Sequence, residues 1–308
     1  MKGKNKLFVL AAVVLCGLML AVFTIGCEPA EPTVDVGSKE FTEQLILGHL
    51  TLLVLEDAGI PVSDNTNLGG TDVNRTALET GDIDVYWEYT GTAWLTFFAE
   101  EEPITDSEEA FQLVSERDLD NDLIWLDYAP FDNTYTLMMR EEHASELGID
   151  TITELGEWIE EQQAAGNEVD FATDHEFMVR EDGYPALQEL YGFEFDQVYD
   201  MAIGLTHEAL RDGDVDVAMG FATDGKIAEL GLVNLEDDRG FFPVYNPAPV
   251  IRLEMLEEYP EIEGLLSEVA ALLDTDTMIQ LNYTVEVEGE EPRDVARDFL
   301  LEHGLITE

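Results

Sequence analysis

One stretch of this chain occurs twice. Leu78-Glu79-Thr80-Gly81-Asp82-Ile83-Asp84-Val85 is echoed by Leu210-Arg211-Asp212-Gly213-Asp214-Val215-Asp216-Val217. Each copy reads as the end of a helix, a Gly turn and a short apolar strand. The echo runs on: Tyr89-Thr90-Gly91 begins five residues after Asp84, and Phe221-Ala222-Thr223 begins five after Asp216. Two α/β lobes would each present an aromatic and a hydroxyl at the carboxyl end of an equivalent strand. Ligands collect at those ends in open α/β sheets, so two such edges facing one another make a cleft.

The surrounding sequence fits that plan. Val34-Asp35-Val36-Gly37 reads as a strand. Ser38 reads as the N-cap of a helix with Phe41, Leu45, Leu47, Leu50, Leu53 and Val54 on its apolar side, stopping near Gly59. This opens an α/β unit. Thr134–Arg140 and Phe242–Leu253 read as strands connecting the lobes. Residues 34–138 with 245–308 then form one lobe and 139–244 the other, and closure is a hinge motion about two strands. The 308 residues suit two domains.

Charge narrows the function classes. Against 68 Asp and Glu stand 14 Lys and Arg, a formal balance of −54. Such a field repels phosphate backbones, and no basic stripe exists, so nucleic-acid binding is excluded. Anionic membrane surfaces are disfavoured for the same reason. The acids are spread along the chain, as expected of a solvated surface suited to concentrated salt, where screening lengths fall to roughly 3 Å at 1 M. Asp212-Gly213-Asp214-Val215-Asp216 comes nearest to a calcium loop, but no Glu occupies its twelfth position. With apolar residues at 45%, the chain can bury a real core.

Lys2, Lys4 and Lys6 precede an apolar run from Leu7 to Ile25, the pattern of an export signal, which occupies residues 1–27 in this reading. The run is also long enough for an uncleaved anchor. Thr24-Ile25-Gly26-Cys27 resembles a bacterial lipoprotein box, which makes Cys27 the expected lipidated residue and 28–33 a tether. The expected location is extracytoplasmic, on the outer face of the cell membrane or in a periplasm. Cys16 lies inside the signal, so the mature chain has Cys27 alone and no disulfide or cysteine metal site. That mature chain holds 14 − 3 = 11 basic residues, of which only Lys39 and Lys226 are lysines.

Enzyme constellations are missing. The histidines at 49, 143, 175, 207 and 303 show no His-x-x-x-His spacing, so no zinc site and no cofactor are expected. No Gly-x-Ser-x-Gly elbow occurs. Gly220-Phe221-Ala222-Thr223-Asp224-Gly225-Lys226 lacks the spacing of a nucleotide loop and its following Ser or Thr.

Aromatics say more. Tyr86, Trp87, Tyr89, Tyr135, Phe221 and Tyr245 fall at expected strand ends or crossings. Rings facing one point attract a cation by about 0.5–2 kcal/mol each. A quaternary ammonium has no N–H to donate, so a ring box is the chief way to hold one. The same residues also suit core packing, where strand aromatics usually go. Lys39 follows the first strand at a helix N-terminus, where anions are welcome, and Arg180 offers a bidentate contact. A surface ion pair is the alternative for each. A cation in a ring box with a carboxylate on Lys and Arg describes a betaine.

Gly37-Ser38-Lys39-Glu40-Phe41-Thr42-Glu43-Gln44, Asn67-Leu68-Gly69-Gly70-Thr71, Asp84-Val85-Tyr86-Trp87-Glu88-Tyr89-Thr90-Gly91-Thr92, Arg180-Glu181-Asp182-Gly183, Ala222-Thr223-Asp224-Gly225 and Ala248-Pro249-Val250 resemble the substrate-binding proteins of osmoprotectant ABC transporters, the glycine betaine/carnitine/choline group. The likeness runs over about residues 34–300. It implies a type II periplasmic-binding-protein fold, two lobes joined by two crossover strands with the ligand cleft between them. It also implies a quaternary-ammonium ligand and delivery to an ABC permease. Its ring box carries over to Tyr89, Tyr135, Phe221 and Tyr245, with Phe221 standing where the family usually has Tyr. Its carboxylate contacts carry over to Lys39, Thr92 and Arg180, and Gln44 matches a further contact.

The expectation is a monomeric, lipid-anchored receptor that captures glycine betaine or a related solute without chemical turnover. A receptor for proline, ectoine or an amino acid is the alternative within the class. A secreted two-lobed enzyme and a structural cell-surface module are the alternatives outside it.

Overall fold

Among the described residues, ten strands follow the chain order β1 Val34–Gly37, β2 Val62–Asn65, β3 Val85–Tyr89, β4 Leu123–Trp125, β5 Tyr135–Arg140, β6 Asp170–Thr173, β7 Gln197–Asp200, β8 Val217–Phe221, β9 Leu232–Asn234 and β10 Pro247–Arg252. They form two five-stranded sheets, ordered β2-β1-β3-β10-β4 and β7-β6-β8-β5-β9. In each, two strands run parallel beside a repeated strand, which pairs antiparallel with β10 in the first sheet and β5 in the second. The computed structural model describes residues 32–100, 102–180 and 183–307. The expected signal, Cys27, most of the 28–33 tether, and Glu181-Asp182 lie outside the described residues. Both sheets belong to one compact unit beginning at Thr33. Among the described residues no helix is long and apolar enough to cross a membrane.

The repeat is a repeat of structure. Helices α2 (Thr71–Thr80) and α4 (Ile203–Asp212) each end on a left-handed glycine, Gly81 and Gly213, both at φ +78°. Only glycine adopts that conformation without a Cβ penalty, so the helix stops and the chain turns into β3 or β8. Asp84 then accepts from the Asp35 N–H at 2.9 Å, and Asp216 accepts from the Asp170 N–H at 3.0 Å. Arg252, ending β10, donates to the Leu78 carbonyl, and Arg140, ending β5, donates to those of Leu210 and Val215. Each arginine thus ties the end of its strand to the helix end and turn of the repeated unit.

Both sheets are covered on both faces, as parallel strands require. One face of the first sheet packs on α1 (Thr42–Asp57) and the C-terminal helices, in a core that includes Leu50, Leu266, Met278 and Phe299. Its other face packs on Ala77, Leu78 and Val114. The second sheet lies between Leu155, Ile159 and Leu187 on one side and Leu210 of α4 on the other.

Two sequence expectations change here, the N-cap of α1 and the crossing strands. Ser38 does not cap α1, which begins after Phe41 with no side-chain cap. Its hydroxyl instead accepts from the Asn67 N–H at 2.9 Å, tying two loops of the first sheet together. β5 and β10 do not themselves cross between sheets. Each pairs wholly within one, and the passages run through 126–134 and 235–246. Consequently Tyr135–Met138, expected with the first lobe, pair with Phe221–Ala218 in the second sheet. Tyr86 and Trp87 are core residues, Tyr86 donating to Glu88 and Trp87 donating to Thr51.

Candidate functional site

The ends of the parallel strands meet around a cavity of about 350 Å³. Lys39 and Phe41 follow β1, Tyr89 ends β3, Asp174 follows β6, Met201 follows β7 and Phe221 ends β8. Tyr135 opens β5, and Tyr245 comes from the second connecting passage. Five rings form the wall. Phe41 stacks on Phe221 with centroids 5.3 Å apart and faces Tyr89 at 6.3 Å. Tyr135 lies 5.1 Å from Phe221 and meets Tyr245 edge-on at 5.5 Å. Rings from both sheets therefore enclose one volume, and their faces offer negative quadrupole density to a cation.

Of the residues expected at the site, Lys39, Tyr89, Thr92, Tyr135, Arg180, Phe221 and Tyr245 line this cavity. Gln44 does not. Its side chain accepts from the Lys39 N–H at 3.2 Å and donates to the Trp87 carbonyl at 2.9 Å, bracing the loop after β1 against β3. The motif gave the position, but the fold turns the amide inward. Phe41, expected on the apolar face of α1, stands at its N-cap and is instead a ring of the wall. Its place beside Lys39, ahead of the first helical residue, was the available signal.

Lys39 is buried, and its ammonium lies 2.6 Å from Glu88 Oε1 and 5.1 Å from the centre of the Tyr89 ring. Glu88 is fully buried and also accepts from the Tyr86 hydroxyl at 2.8 Å and the Tyr89 N–H at 2.8 Å. A buried charge pair persists only when its remaining lone pairs are satisfied in this way. An ammonium has three protons and Glu88 takes one, so the others can face a ligand. Arg180 is 3.5 Å from Glu176 Oε2, and one of its N–H groups lies 3.4 Å from the Tyr135 hydroxyl.

Behind the rings lies a buried carboxyl that sequence reasoning passed over. Glu43, in α1, accepts from the Tyr89 hydroxyl at 2.7 Å, Asn133 at 2.8 Å, Thr223 at 2.6 Å and Asn282 of α5 (Thr275–Glu286) at 3.3 Å. It joins the first sheet, a connecting passage and the loop after β8. Burial pushes it up to about 7, outweighing those donors. Burial and the Glu43 charge push the Tyr89 phenol far above its ordinary value, so Tyr89 stays a donor. Burial also lifts Asp174 to about 6. Glu40, Asp174, Glu176 and Asp200 outnumber Lys39 and Arg180 around the cavity, which therefore favours positive charge.

Among the described residues no group of three or more His, Cys, Asp or Glu is placed to hold a metal ion.

A model of the substrate-binding domain of ABC-type glycine betaine transport systems matches residues 32–302. A glycine-betaine-binding protein of Pseudomonas aeruginosa is 38% identical over 296 residues, covering 95% of this chain and 94% of its own. The solved structure of apo YehZ from Escherichia coli is 37% identical, with a TM-score of 0.65 over 89% of this chain and 99% of that one. A solved glycine betaine/carnitine/choline ABC transporter structure is 31% identical, with a TM-score of 0.71 over 88% and 99%.

Proposed function

The chain belongs to the substrate-binding family of ABC-type glycine betaine transport systems, and from that membership we propose that it captures a quaternary ammonium solute, glycine betaine or a close relative, and delivers it to an ABC permease. What supports this reading is the ring wall. Phe41, Tyr89, Tyr135, Phe221 and Tyr245 converge on one cavity from both sheets. Each ring contributes roughly 0.5–2 kcal/mol of attraction to a desolvated cation.

The trimethylammonium head sits among the rings, and a ligand carboxylate reaches Thr92, Arg180 and the remaining protons of Lys39. Binding proceeds without chemical turnover. The two lobes, one built on β1–β4 with β10 and the other on β5–β9, shut by bending the passages at 126–134 and 235–246. The protein acts as a monomer outside the cytoplasmic membrane, held there by a lipid on Cys27.

Calorimetric titration with glycine betaine, choline, proline and ectoine tests the reading. A quaternary ammonium compound is expected to give saturable heat, while proline and ectoine give none. Binding of proline or ectoine with no response to either quaternary compound would overturn it.

A further inference from the structure

A carboxylate crosses the mouth of the cavity from one sheet's side to the other. Glu176, in α3 (His175–Val179), accepts from the Thr71 backbone N–H at 2.6 Å and from the Thr71 hydroxyl at 2.9 Å. Thr71 is the first residue of α2, and the N-cap before it is Gly70, which has no side chain to cap with. The first N–H groups of a helix lack intrahelical partners and carry the positive end of its dipole. Glu176 therefore caps α2 in trans, from 105 residues along the chain. Gly70 makes the room for it: a Cβ there would stand 2.2 Å from Glu176 Oε1. At φ −75° any residue suits the backbone of position 70, so the missing side chain serves the contact and not the turn.

The same carboxylate faces Arg180 one turn on, and Arg180 lies over the Tyr135 ring, 5.9 Å from its centre. Other charges around it are Lys39 from the loop after β1, and Asp174, His175 and Asp200 from the second sheet's side. Burial pushes the Glu176 carboxyl up, but Lys39, Thr71 and Arg180 hold it below the usual carboxylate range. It is charged at neutral pH.

We propose that Glu176 is a positioning residue for capture, clasping the lobes across the cavity mouth by capping α2 and holding Arg180 against the ring wall. Opening separates Thr71 from Glu176 and returns both to water, so the clasp acts on the shut form. Its weight therefore falls on ligand release and not on association. The release arm rests on the quaternary-ammonium reading above; the shape arm does not.

Glu176→Gln and Gly70→Ala break the contact from opposite sides. Stopped-flow tryptophan fluorescence with glycine betaine and choline reads release, and small-angle X-ray scattering of the protein alone reads openness. Glu176→Gln removes the charge that strengthens both bonds, and Gly70→Ala drives the carboxylate off Thr71, so both variants are expected to release either ligand about tenfold faster or more. Association should change less than about twofold. The protein alone should scatter as a more open particle, with its thermal unfolding unchanged. Unaltered release or unaltered scattering in either variant overturns the clasp, as does a drop in unfolding temperature with no change of shape. If the wild type binds neither compound, the quaternary-ammonium reading fails while scattering still decides the clasp.

Discussion

β3 and β8 are one strand in two settings. Aligned on Asp84 and Asp216, Val85-Tyr86-Trp87-Glu88-Tyr89 stands over Val217-Ala218-Met219-Gly220-Phe221. Both are buried throughout, and both end on a ring in the cavity wall. The first copy carries a buried charge, Glu88, one residue before its ring, and the second carries Gly220 there. Around Glu88 gather Lys39, Tyr86 and the Tyr89 N–H; around Gly220 lie Met138 and Asp224. The first ring is anchored by its hydroxyl to Glu43, whereas the second has no hydroxyl. The repeat thus sets where rings stand, and its departures set how firmly. The first sheet supplies a ring fixed by charge and hydrogen bonds, and the second supplies one fixed by apolar packing, notably against Phe41 and Tyr135.

The difference is largest in stability. Glu88→Gln removes the carboxylate paired with the buried Lys39 ammonium, a loss of about 3–5 kcal/mol. Gly220→Ala puts a Cβ 2.6 Å from Met138 Cε, the far end of a flexible side chain, and should cost only ~1 kcal/mol. Urea unfolding of the two variants measures both. Equal losses would mean that the charge at the first strand end adds nothing to its rigidity.

A second contrast appears with pH. The Glu43 carboxyl, which anchors the first ring, sits at about 7 in the folded protein against an ordinary 4.5. For an acid raised by folding, the folded state holds the extra proton between those values. Its stabilising effect is complete below about 4.5 and is lost as pH rises through about 7. Many other acids titrate nearby, Asp174 at about 6 and Glu286 at about 7 among them. The informative quantity is the difference between Glu43→Gln and wild type, in which these cancel. That difference should move in favour of the variant from pH 4.5 to 7 by on the order of 2–3 kcal/mol and then level off. A flat difference across that window would show that Glu43 stays ionised behind the ring.

How far the sequence alone reached follows from the same contrast. The α/β repeat was legible because Gly81 and Gly213 need left-handed backbone, and because periodicity survives any choice of surface residues. Tyr89 and Phe221 were legible as a matched pair for that reason. Phe41 was not, since a ring on the apolar face of a helix and a ring in a ligand wall leave the same pattern. Gln44 was misplaced because a motif fixes a position in the chain and leaves the side chain's direction to the fold. Glu43, Glu88 and Glu176 were passed over for a different reason. In a chain with 68 acids a carboxylate carries no information, and only burial and donors around it single it out. Ser38 had the right chemistry for a cap, but Asn67, brought beside it by the fold, took its hydroxyl.

The smallest contrast is the most direct test of what the two rings do. If both act through their faces, Tyr89→Ala and Phe221→Ala each lose a cation–π contact, and each should weaken glycine betaine binding about tenfold or more in calorimetry. Tyr89→Ala should be the worse of the two, because it also strips Glu43 of a donor and leaves that carboxyl less satisfied. Tyr89→Phe then separates the ring from its anchor, giving the first copy the side chain that the second already has. The face remains, and one hydroxyl bond to a buried carboxyl is lost, so the dissociation constant should rise only about three- to tenfold. A Tyr89→Phe protein as weak as Tyr89→Ala would mean that the anchor, and not the ring face, is what the first sheet contributes. A Tyr89→Phe protein equal to wild type would mean that apolar packing holds both rings alike, and the asymmetry between β3 and β8 would belong to stability alone.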